Sequence, residues 1–302
     1  MKYLPIISIL FLATLLLFSF NPPEPMLELN ADPYTAEWKK IDELDQQGLP
    51  KSALEAVVKL YDRARREDNA PQIIKTLIYR GKYTTQLEEE GLAQAIQLLQ
   101  AEKQLNFPAN HVLQSVLAGV YQRYLDNNLY RIQQRTTTVD FNHQDILTWS
   151  VEQLRNESAR LYLASVANKK LQRIAIEEFD AITTTGKNVG GLRPTLYDFL
   201  AHQAIDFFSN ERYYLTQPSY AFQIDEKAGF AATDRFVAHD FQQRDTTSDK
   251  YRTLLLLQEV LRFHLKDKSP TALVDADLKR LKFVYNNANR LTRNALYQTA
   301  LQ

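Results

Sequence analysis

An all-α fold is predicted for this 302-residue chain: a repeat-like array of antiparallel helix pairs, similar to an α-solenoid or a tetratricopeptide-like array, with one irregular aromatic segment. Only 8 glycines occur, whereas helix-favouring Leu, Ala, Gln, Glu, Lys and Arg are abundant. A hydrophobic content of 45% is sufficient for a buried core. Glycine and proline recur between apolar stripes of helical spacing, so we expect the helices to pair and stack.

The first 20 residues resemble a secretory signal. Lys2 precedes the uncharged run "YLPIISILFLATLLLFSF", which predicts export to the periplasm or the cell envelope. Small residues are missing before the expected cleavage point and the run approaches membrane-spanning length, so an uncleaved N-terminal anchor is the alternative. Membrane contact is expected only through residues 1–20. Residues 21–32, "NPPEPMLELNAD", are predicted to be a linker because their three prolines disfavour regular structure.

The charge balance and the absence of cysteine narrow the function classes. The chain carries 36 basic and 36 acidic residues, so no net positive field attracts phosphate backbones, and nucleic acid is not an expected partner. Without cysteine there can be no disulfide, thiolate metal site or cysteine nucleophile. No cofactor is predicted.

The first helical region is predicted over residues 33–130. Asp32 is expected to cap a helix with Pro33 in its first turn. The sequence "LDQQGLPKSALEAVVKLYDRARRE" then predicts a structural corner between two helices. Gly48 can take the left-handed conformation that ends a helix, and Pro50 is tolerated in the first turn of the next one.

The same pattern recurs along this region. Asn69 and Pro71 predict another capped helix start, and Pro108 predicts a third. "GLAQAIQLLQAEKQL" begins at Gly91 much as "GLPKSALEAVVKLYD" begins at Gly48, 43 residues earlier. This spacing is looser than the 34 residues of a tetratricopeptide repeat, so the array is predicted to be repeat-like only.

A polar, β-branched stretch over residues 131–148 predicts a connecting loop, and a second helical region follows over 149–302. Its last turn lacks a cap or a glycine, which predicts that Gln302 lies inside a longer protein. The aromatic residues 212–247 are expected to be irregular. Helices are predicted around Trp149–Lys170, Leu171–Ile182, "TLYDFLAHQAIDFFSNE", Tyr251–Leu265 and Asp275–Ala300.

Two patterns invite a ligand-binding interpretation. "TTTGKNVGG" resembles a phosphate-binding loop, but Ala181 replaces the first glycine and Asn188 replaces the hydroxyl residue after the lysine. An ordinary interhelical loop is therefore predicted. His202 and Asp206 share a helix face and could belong to a metal site, yet no third ligand is evident and the histidines form no close pair. Structural or surface roles are predicted for them.

Carboxylates and aromatic residues provide two further candidates. Glu177, Glu178 and Asp180, and the run Glu88–Glu90, could serve a glycosidase if two of them faced each other, although such runs are usually solvated helix faces. The segment "ERYYLTQPSYAFQIDEKAGF" could bind a peptide or a sugar, or could pin a long connection to the helices. Its candidate contact patch consists of Tyr213, Tyr214, Tyr220 and Phe222.

Several phrases together resemble the N-terminal region of large bacterial alpha-2-macroglobulin-like proteins. The most specific is "EWKKIDELDQQGLPKSALEAVVKLYDRARREDNAPQIIKTLIYRGKY", followed by "RTTTVDFNHQDILTW", "LYDFLAHQAIDFF" and "PSYAFQIDEKAGF". The resemblance runs from about Tyr34 to the end. It implies an exported chain in which this helical region precedes β-sandwich domains that receive and entrap a protease. A bait-like segment and a Cys-Leu-Glu-Gln thioester motif are both missing from this sequence.

The expected function is that of a non-catalytic N-terminal helical module of an exported macroglobulin-like endopeptidase inhibitor. Its expected partners are downstream macroglobulin-type domains and, through them, proteases. The alternative is an envelope α-solenoid scaffold that binds a protein or a peptide. A third hypothesis, a carbohydrate hydrolase using the carboxylates and tyrosines, requires a cleft with two facing carboxylates.

Overall fold

The computed structural model of the protein describes residues 33–302 except 103, 135–144, 185–190, 211–219, 246 and 289–291. The described residues are 72% helical and include no strand, which confirms the predicted all-α fold. In chain order, the helices of this part are α1 (Thr35–Gln46), α2 (Pro50–Arg66), α3 (Ala70–Leu87), α4 (Gly91–Gln100), α5 (Ala109–Gln133), α6 (Val151–Val166), α7 (Leu196–Phe208), α8 (Glu226–Gly229), α9 (Thr233–Ala238), α10 (Asp249–His264), α11 (Thr271–Asn287) and α12 (Arg293–Ala300).

Helix pairs stack in sequence to form one continuous core. Each helix from α1 to α6 packs against the next one, and α3 and α7 also contact α5. Helix α7 then packs against α10, which packs against α11. The buried apolar side chains form a single cluster that extends from Tyr34 in the first turn to Val284 in α11. The predicted regions 33–130 and 149–302 therefore share a core.

The first three helices show how the apolar faces of neighbouring helices pack against each other. Val57 of α2 and Leu77 of α3 are fully buried, as the helical spacing of the apolar residues requires. The Trp38 indole Nε1 donates a 2.7 Å hydrogen bond to Oε1 of buried Gln72, which joins α1 to α3. Apolar packing between these helices is thus supplemented by polar pairs, of which the buried Trp38–Gln72 hydrogen bond is one.

The corner between α1 and α2 is a left-handed helix end followed by a proline start. Gly48 has φ +69°, and its amide donates to the Asp45 carbonyl at 3.0 Å. The amide of Leu49 donates to the Leu44 carbonyl, also at 3.0 Å. Pro50 is the first residue of α2, where its missing N–H has no intrahelical partner. The predicted helix start at Asp32 and Pro33 is wrong, because α1 begins at Thr35 with Tyr34 as its N-cap and Pro33 precedes the helix. Asp32 itself lies outside the described residues.

Replacing Gly48 by valine should destabilise the protein by about 1 kcal/mol or more, because a β-branched residue resists positive φ. A Cβ at this position would meet no atom within 4 Å, so backbone strain alone is tested. Gly48→Asn should cost less, since asparagine tolerates this conformation, and Pro50→Ala should cost little. Urea unfolding of the three variants measures the order of their stabilities. Equal stability of the valine and asparagine variants would contradict the prediction.

Gly91 marks the equivalent corner between α3 and α4 but for a different reason. A Cβ there would lie 2.5 Å from Thr85 Cα and 2.7 Å from the Thr85 carbonyl oxygen, so only glycine lets the chain turn this closely. Helix α4 has 10 residues, whereas α2 has 17. The glycine corners at Gly48 and Gly91 therefore recur along the chain, but the helices that follow them differ in length.

Three predicted boundaries differ from the structure. Helix α5 continues to Gln133, into the predicted loop 131–148, most of which lies outside the described residues. The helix predicted over 171–182 is wrong: two 3₁₀ segments, Lys169–Arg173 and Ile176–Phe179, occupy this stretch. Ile174 and Ile176 form backbone hydrogen bonds with residues 194–196, which replace the helical pattern. The helix predicted over 275–300 is divided, because Ala288 has extended backbone after α11.

The described part of the aromatic segment 212–247 is attached to α10 and α11 by buried polar side chains. Arg280 of α11 is 1% exposed and donates to the carbonyls of Gly229 at 3.0 Å and Ala231 at 2.7 Å. Gln258 of α10 donates to the carbonyls of Phe236 and His239, both at 2.7 Å. These bonds satisfy acceptors at the ends of α8 and α9 and fix the connection on the helical surface.

Candidate functional site

The predicted contact patch is not assembled within the described residues. Tyr213 and Tyr214 lie outside them. Tyr220 is 60% exposed, whereas Phe222 is 6% exposed and packs edge-on against Tyr251 with ring centroids 5.4 Å apart. Phe222 is thus a core residue that presents little surface to a ligand.

His202 and Asp206 share one face of α7, but a lysine lies between them. The Lys279 ammonium is 2.6 Å from Asp206 Oδ1 and 3.3 Å from His202 Nδ1. Burial, followed by the nearby positive charges of Lys279 and Arg193, lowers the pKa of His202 to about 3. His202 is therefore a neutral, buried acceptor for the lysine, and the described residues contain no group of three or more ligating side chains that could hold a metal.

Acidification should destabilise the fold through His202. Because the folded pKa is lowered from 6.5 to about 3, only the unfolded chain takes up this proton between those pH values, and stability falls as the pH falls. From pH 6.5 to 5 the loss should be about 1.5 kcal/mol. His202→Leu should be less stable at pH 7 yet lose less on acidification. An unchanged loss in this variant, measured by urea unfolding at each pH, would contradict the assignment.

His264 at the end of α10 shows the opposite behaviour. Its Nε2 lies 2.8 Å from Asp198 Oδ1 and its Nδ1 lies 2.6 Å from Asp267 Oδ2, so both nitrogens donate and the ring is an imidazolium. Burial lowers the pKa of His264, but the two carboxylates outweigh it and the net shift is upward. Asp198 also accepts from the amide and the hydroxyl of Thr195, which caps α7. The cluster is fully paired and joins α7 to α10.

The acidic residues considered for glycoside hydrolysis lie at the surface. Glu177, Glu178 and Asp180 are exposed in and after a 3₁₀ segment, and Glu178 accepts from the Ala175 amide at 3.2 Å as part of a helix cap. Glu90 pairs with Arg131 at 3.2 Å. These contacts are those of solvated caps and surface pairs.

A pocket of about 450 Å³ lies between α4 and α6, and we call it the α4–α6 pocket. Its volume lies in the range of small-molecule sites. Helix α5 contributes Asn110, Leu113, Gln114 and Leu117, which lie at helical spacing, to its lining. The polar lining is Gln100, Glu102, Asn110, Gln114, Glu157 and Arg160, and the apolar lining is Leu99, Leu105, Leu113 and Leu117.

Side chains from α2 hold Glu102 at the edge of this pocket. The Tyr61 hydroxyl donates to Glu102 Oε2 at 2.5 Å, and Arg65 Nη1 lies 3.6 Å from Glu102 Oε1. Burial and the hydrogen bond to Glu102 raise the pKa of Tyr61 to about 12, so the phenol remains a donor at neutral pH. Arg65 also donates to the Gln104 carbonyl at 3.1 Å, which fixes the loop after α4. The carboxylate is therefore positioned before any ligand arrives.

Two other lining groups differ in how well they are paired. Glu157 and Arg160 form a bidentate pair at 2.7 and 2.8 Å, so their charges largely satisfy each other. Gln114 Oε1 is buried without a hydrogen-bond partner among the residues described. An unpaired buried acceptor costs about 1–3 kcal/mol, so this amide stands to gain from a donor.

Sequence reasoning missed this pocket. Its only local signal is the placement of Asn110 and Gln114 within the apolar stripe of α5, where a core helix would carry aliphatic residues. The position of Glu102 depends on Tyr61, 41 residues earlier, which no local pattern reveals.

Comparison of the chain with protein-family models, curated proteins and solved structures finds no match. Among the described residues, no helix combines the length and the apolar character needed to cross a membrane.

Proposed function

We propose that this chain is a non-catalytic N-terminal helical module of an exported alpha-2-macroglobulin-like endopeptidase inhibitor. The observation that carries the proposal is the resemblance of residues 37–83 to the corresponding region of that family. These residues lie in α1, α2, α3 and their corners. Their contacts are those of a scaffold: Arg63 bonds to Glu37 at 2.7 Å and Trp38 bonds to Gln72.

The proposal assigns protease capture to domains that follow this region. The downstream macroglobulin-type domains are its direct partners, and proteases are reached through them. The reading frame beyond codon 302 tests this assignment. A continuation into several domains with alternating polar and apolar strands is expected, whereas a stop codon directly after Gln302 would favour the alternative below.

Export to the periplasm or cell envelope is part of the same proposal. A reporter enzyme that is active only outside the cytoplasm, fused after Asp32, should be active in a bacterial host, because Lys2 and the apolar run to Phe20 resemble a secretory signal. Fusion before the apolar run provides the inactive control. Retention of the Asp32 fusion in the cytoplasm would contradict export, and retention in carbonate-washed membranes would indicate an uncleaved anchor.

An α-solenoid scaffold that binds a protein or a peptide is the second candidate function. It is favoured by the α4–α6 pocket, which combines prepositioned Glu102 with the unpartnered oxygen of Gln114. Paired-helix arrays commonly present such surfaces to extended partners. The two proposals are compatible, because a helical module can bind a partner while other domains capture a protease.

A further inference from the structure

A cluster of charged side chains around His202 joins α7 to α11. His202 is 2% exposed, and its Nδ1 lies 3.3 Å from the Lys279 ammonium of α11. Its Nε2 lies 4.0 Å from Oδ2 of Asp275, which is also on α11. Because an ammonium can only donate, Nδ1 is the acceptor, and the neutral ring carries its proton on Nε2. The contact between the two helices therefore requires an uncharged imidazole.

A second proton on this ring would have to enter at Nδ1, where the lysine lies. Lys279 is held there by Asp206 of α7, 2.6 Å away. Asp275 lies on the Nε2 side and pairs with Arg193 at 3.5 Å, so it cannot accept a hydrogen bond from Nδ1. Burial, followed by the nearby positive charges, accordingly lowers the pKa of His202 to about 3. A charged His202 is thus incompatible with the closed contact.

The contact between α7 and α10 responds to acid in the opposite way. His264 of α10 donates to Asp198 of α7 at 2.8 Å and to Asp267 at 2.6 Å. Burial lowers the pKa of His264, but the two carboxylates outweigh it, so the ring is fully charged in mild acid. Its charge also disfavours protonation of His202. Acid therefore strengthens the attachment of α10 to α7 while it weakens that of α11.

The groups that α5 and α6 bring to α7 keep their charge state in mild acid. Tyr162 of α6 lies near Asp206, and burial and then that carboxylate raise its pKa to about 12. Arg155 of α6 pairs with Asp249. Ser115 of α5 donates to Gln203 at 2.6 Å, and both of these side chains are neutral. Among the described residues of this junction, the acid response thus belongs to the two histidines.

We propose that the contact of α11 with α7 is an acid-sensitive switch, in which uptake of a proton by His202 releases α11 and α12 as a unit while α1–α7 and α10 stay folded. These helices come last in the stack: α11 packs against α8, α10 and α12, and no described residue of α12 is buried. End units of a stacked array open more easily than its centre. Release of α11 also withdraws Arg280 from the carbonyls of Gly229 and Ala231.

Thiol labelling of the full chain measures this opening, because the chain contains no cysteine. Ala276→Cys places a thiol at a buried position of α11, and Ala118→Cys places one at a buried position of α5. Labelling by dithiodipyridine is compared with the rate of the same variant in denaturing urea at the same pH, and this ratio gives the protection of each site.

Protection at position 276 should fall about thirtyfold from pH 8 to pH 5, because only the open form takes up the proton with the ordinary pKa of 6.5. It should also be lower than the protection at position 118. Addition of about 1 M urea should change it little, since opening of two helices exposes little surface, whereas protection at position 118 should fall with global unfolding.

Matched variants assign the switch to His202. His202→Gln keeps an acceptor for Lys279 but does not titrate, so it should abolish the thirtyfold change, and His202→Asn repeats the test if His202→Gln does not fold. His111→Gln removes a histidine of α5 and should leave the change intact. Equal protection at positions 276 and 118 at pH 5, protection at 276 that ignores pH, or a pH dependence that survives without His202 would overturn the proposal.

Discussion

Replacing Asp198 by alanine is expected to destabilise the protein by about 3–5 kcal/mol at pH 6. This carboxylate is fully buried, pairs with the His264 imidazolium at 2.8 Å and accepts two hydrogen bonds from Thr195. The substitution leaves a buried charge and two donors without their acceptor. It also removes the half of the α7 capping box in which the Asp198 side chain accepts from the Thr195 amide, while the Thr195 hydroxyl still accepts from the amide of residue 198. Urea unfolding followed by circular dichroism measures the change.

Asp267 provides the matched control for this experiment. It contacts the other nitrogen of His264, but its side chain is 36% exposed, so water can replace it. Asp267→Ala should cost about 1 kcal/mol or less. The raised pKa of His264 contributes to the free energy of unfolding below the ordinary pKa of 6.5, and this contribution is lost as the pH rises through the pKa of the folded state. Part of the destabilisation caused by Asp198→Ala should therefore disappear at alkaline pH. Equal costs for the two alanine variants would contradict the assignment.

Replacing Arg280 by leucine is expected to cost about 3 kcal/mol and to release the connection that contains α8 and α9. The guanidinium is buried, donates to two backbone carbonyls and pairs with Asp277 at 2.8 Å. Leucine leaves these acceptors without a donor in an apolar setting. Limited proteolysis should then cut between residues 226 and 245 before the helical core is attacked.

Two further variants make this second prediction specific. Lys282→Leu changes an exposed residue of the same helix and should leave both stability and the cleavage pattern nearly unchanged. The double variant Arg280→Leu, Asp277→Leu should recover part of the lost stability, because it removes the unpaired carboxylate as well. Proteolysis of Arg280→Leu at the wild-type rate would show that the connection is held by other contacts.

Sequence reasoning predicted the parts of the fold that depend on local chemistry. The corner at Gly48 and Pro50 and the stripe of α2 follow from backbone preferences and helical spacing, which act within a few residues. The helix predicted over 171–182 is wrong because residues 194–196, about 20 positions further along the chain, form competing backbone hydrogen bonds with Ile174 and Ile176. Tertiary contacts of this kind leave no trace in a local pattern.

The buried polar residues that join the helices could be predicted only partly from the sequence. Thr195 and Asp198 have the spacing of a capping box, so the cap of α7 could have been recognised. Arg280 follows Ala276 and Ala272 at helical spacing, which places a charge on an apolar stripe and indicates a buried partner. The acceptors of Arg280 lie about 50 residues away in the chain, so their identity required the structure.

A protease-protection assay tests the central functional claim most directly, namely that this region is non-catalytic and that capture belongs to the longer protein. A broad-specificity protease is incubated with residues 31–302 or with the longer protein that the proposal expects from a reading frame continuing past codon 302. It is then assayed with a small chromogenic substrate and a bulky protein inhibitor. The account predicts that the longer protein shields the protease from the inhibitor while the small substrate is still cleaved, and that residues 31–302 give neither cleavage nor protection. Protection by residues 31–302 alone, or no protection by the longer protein, would contradict it.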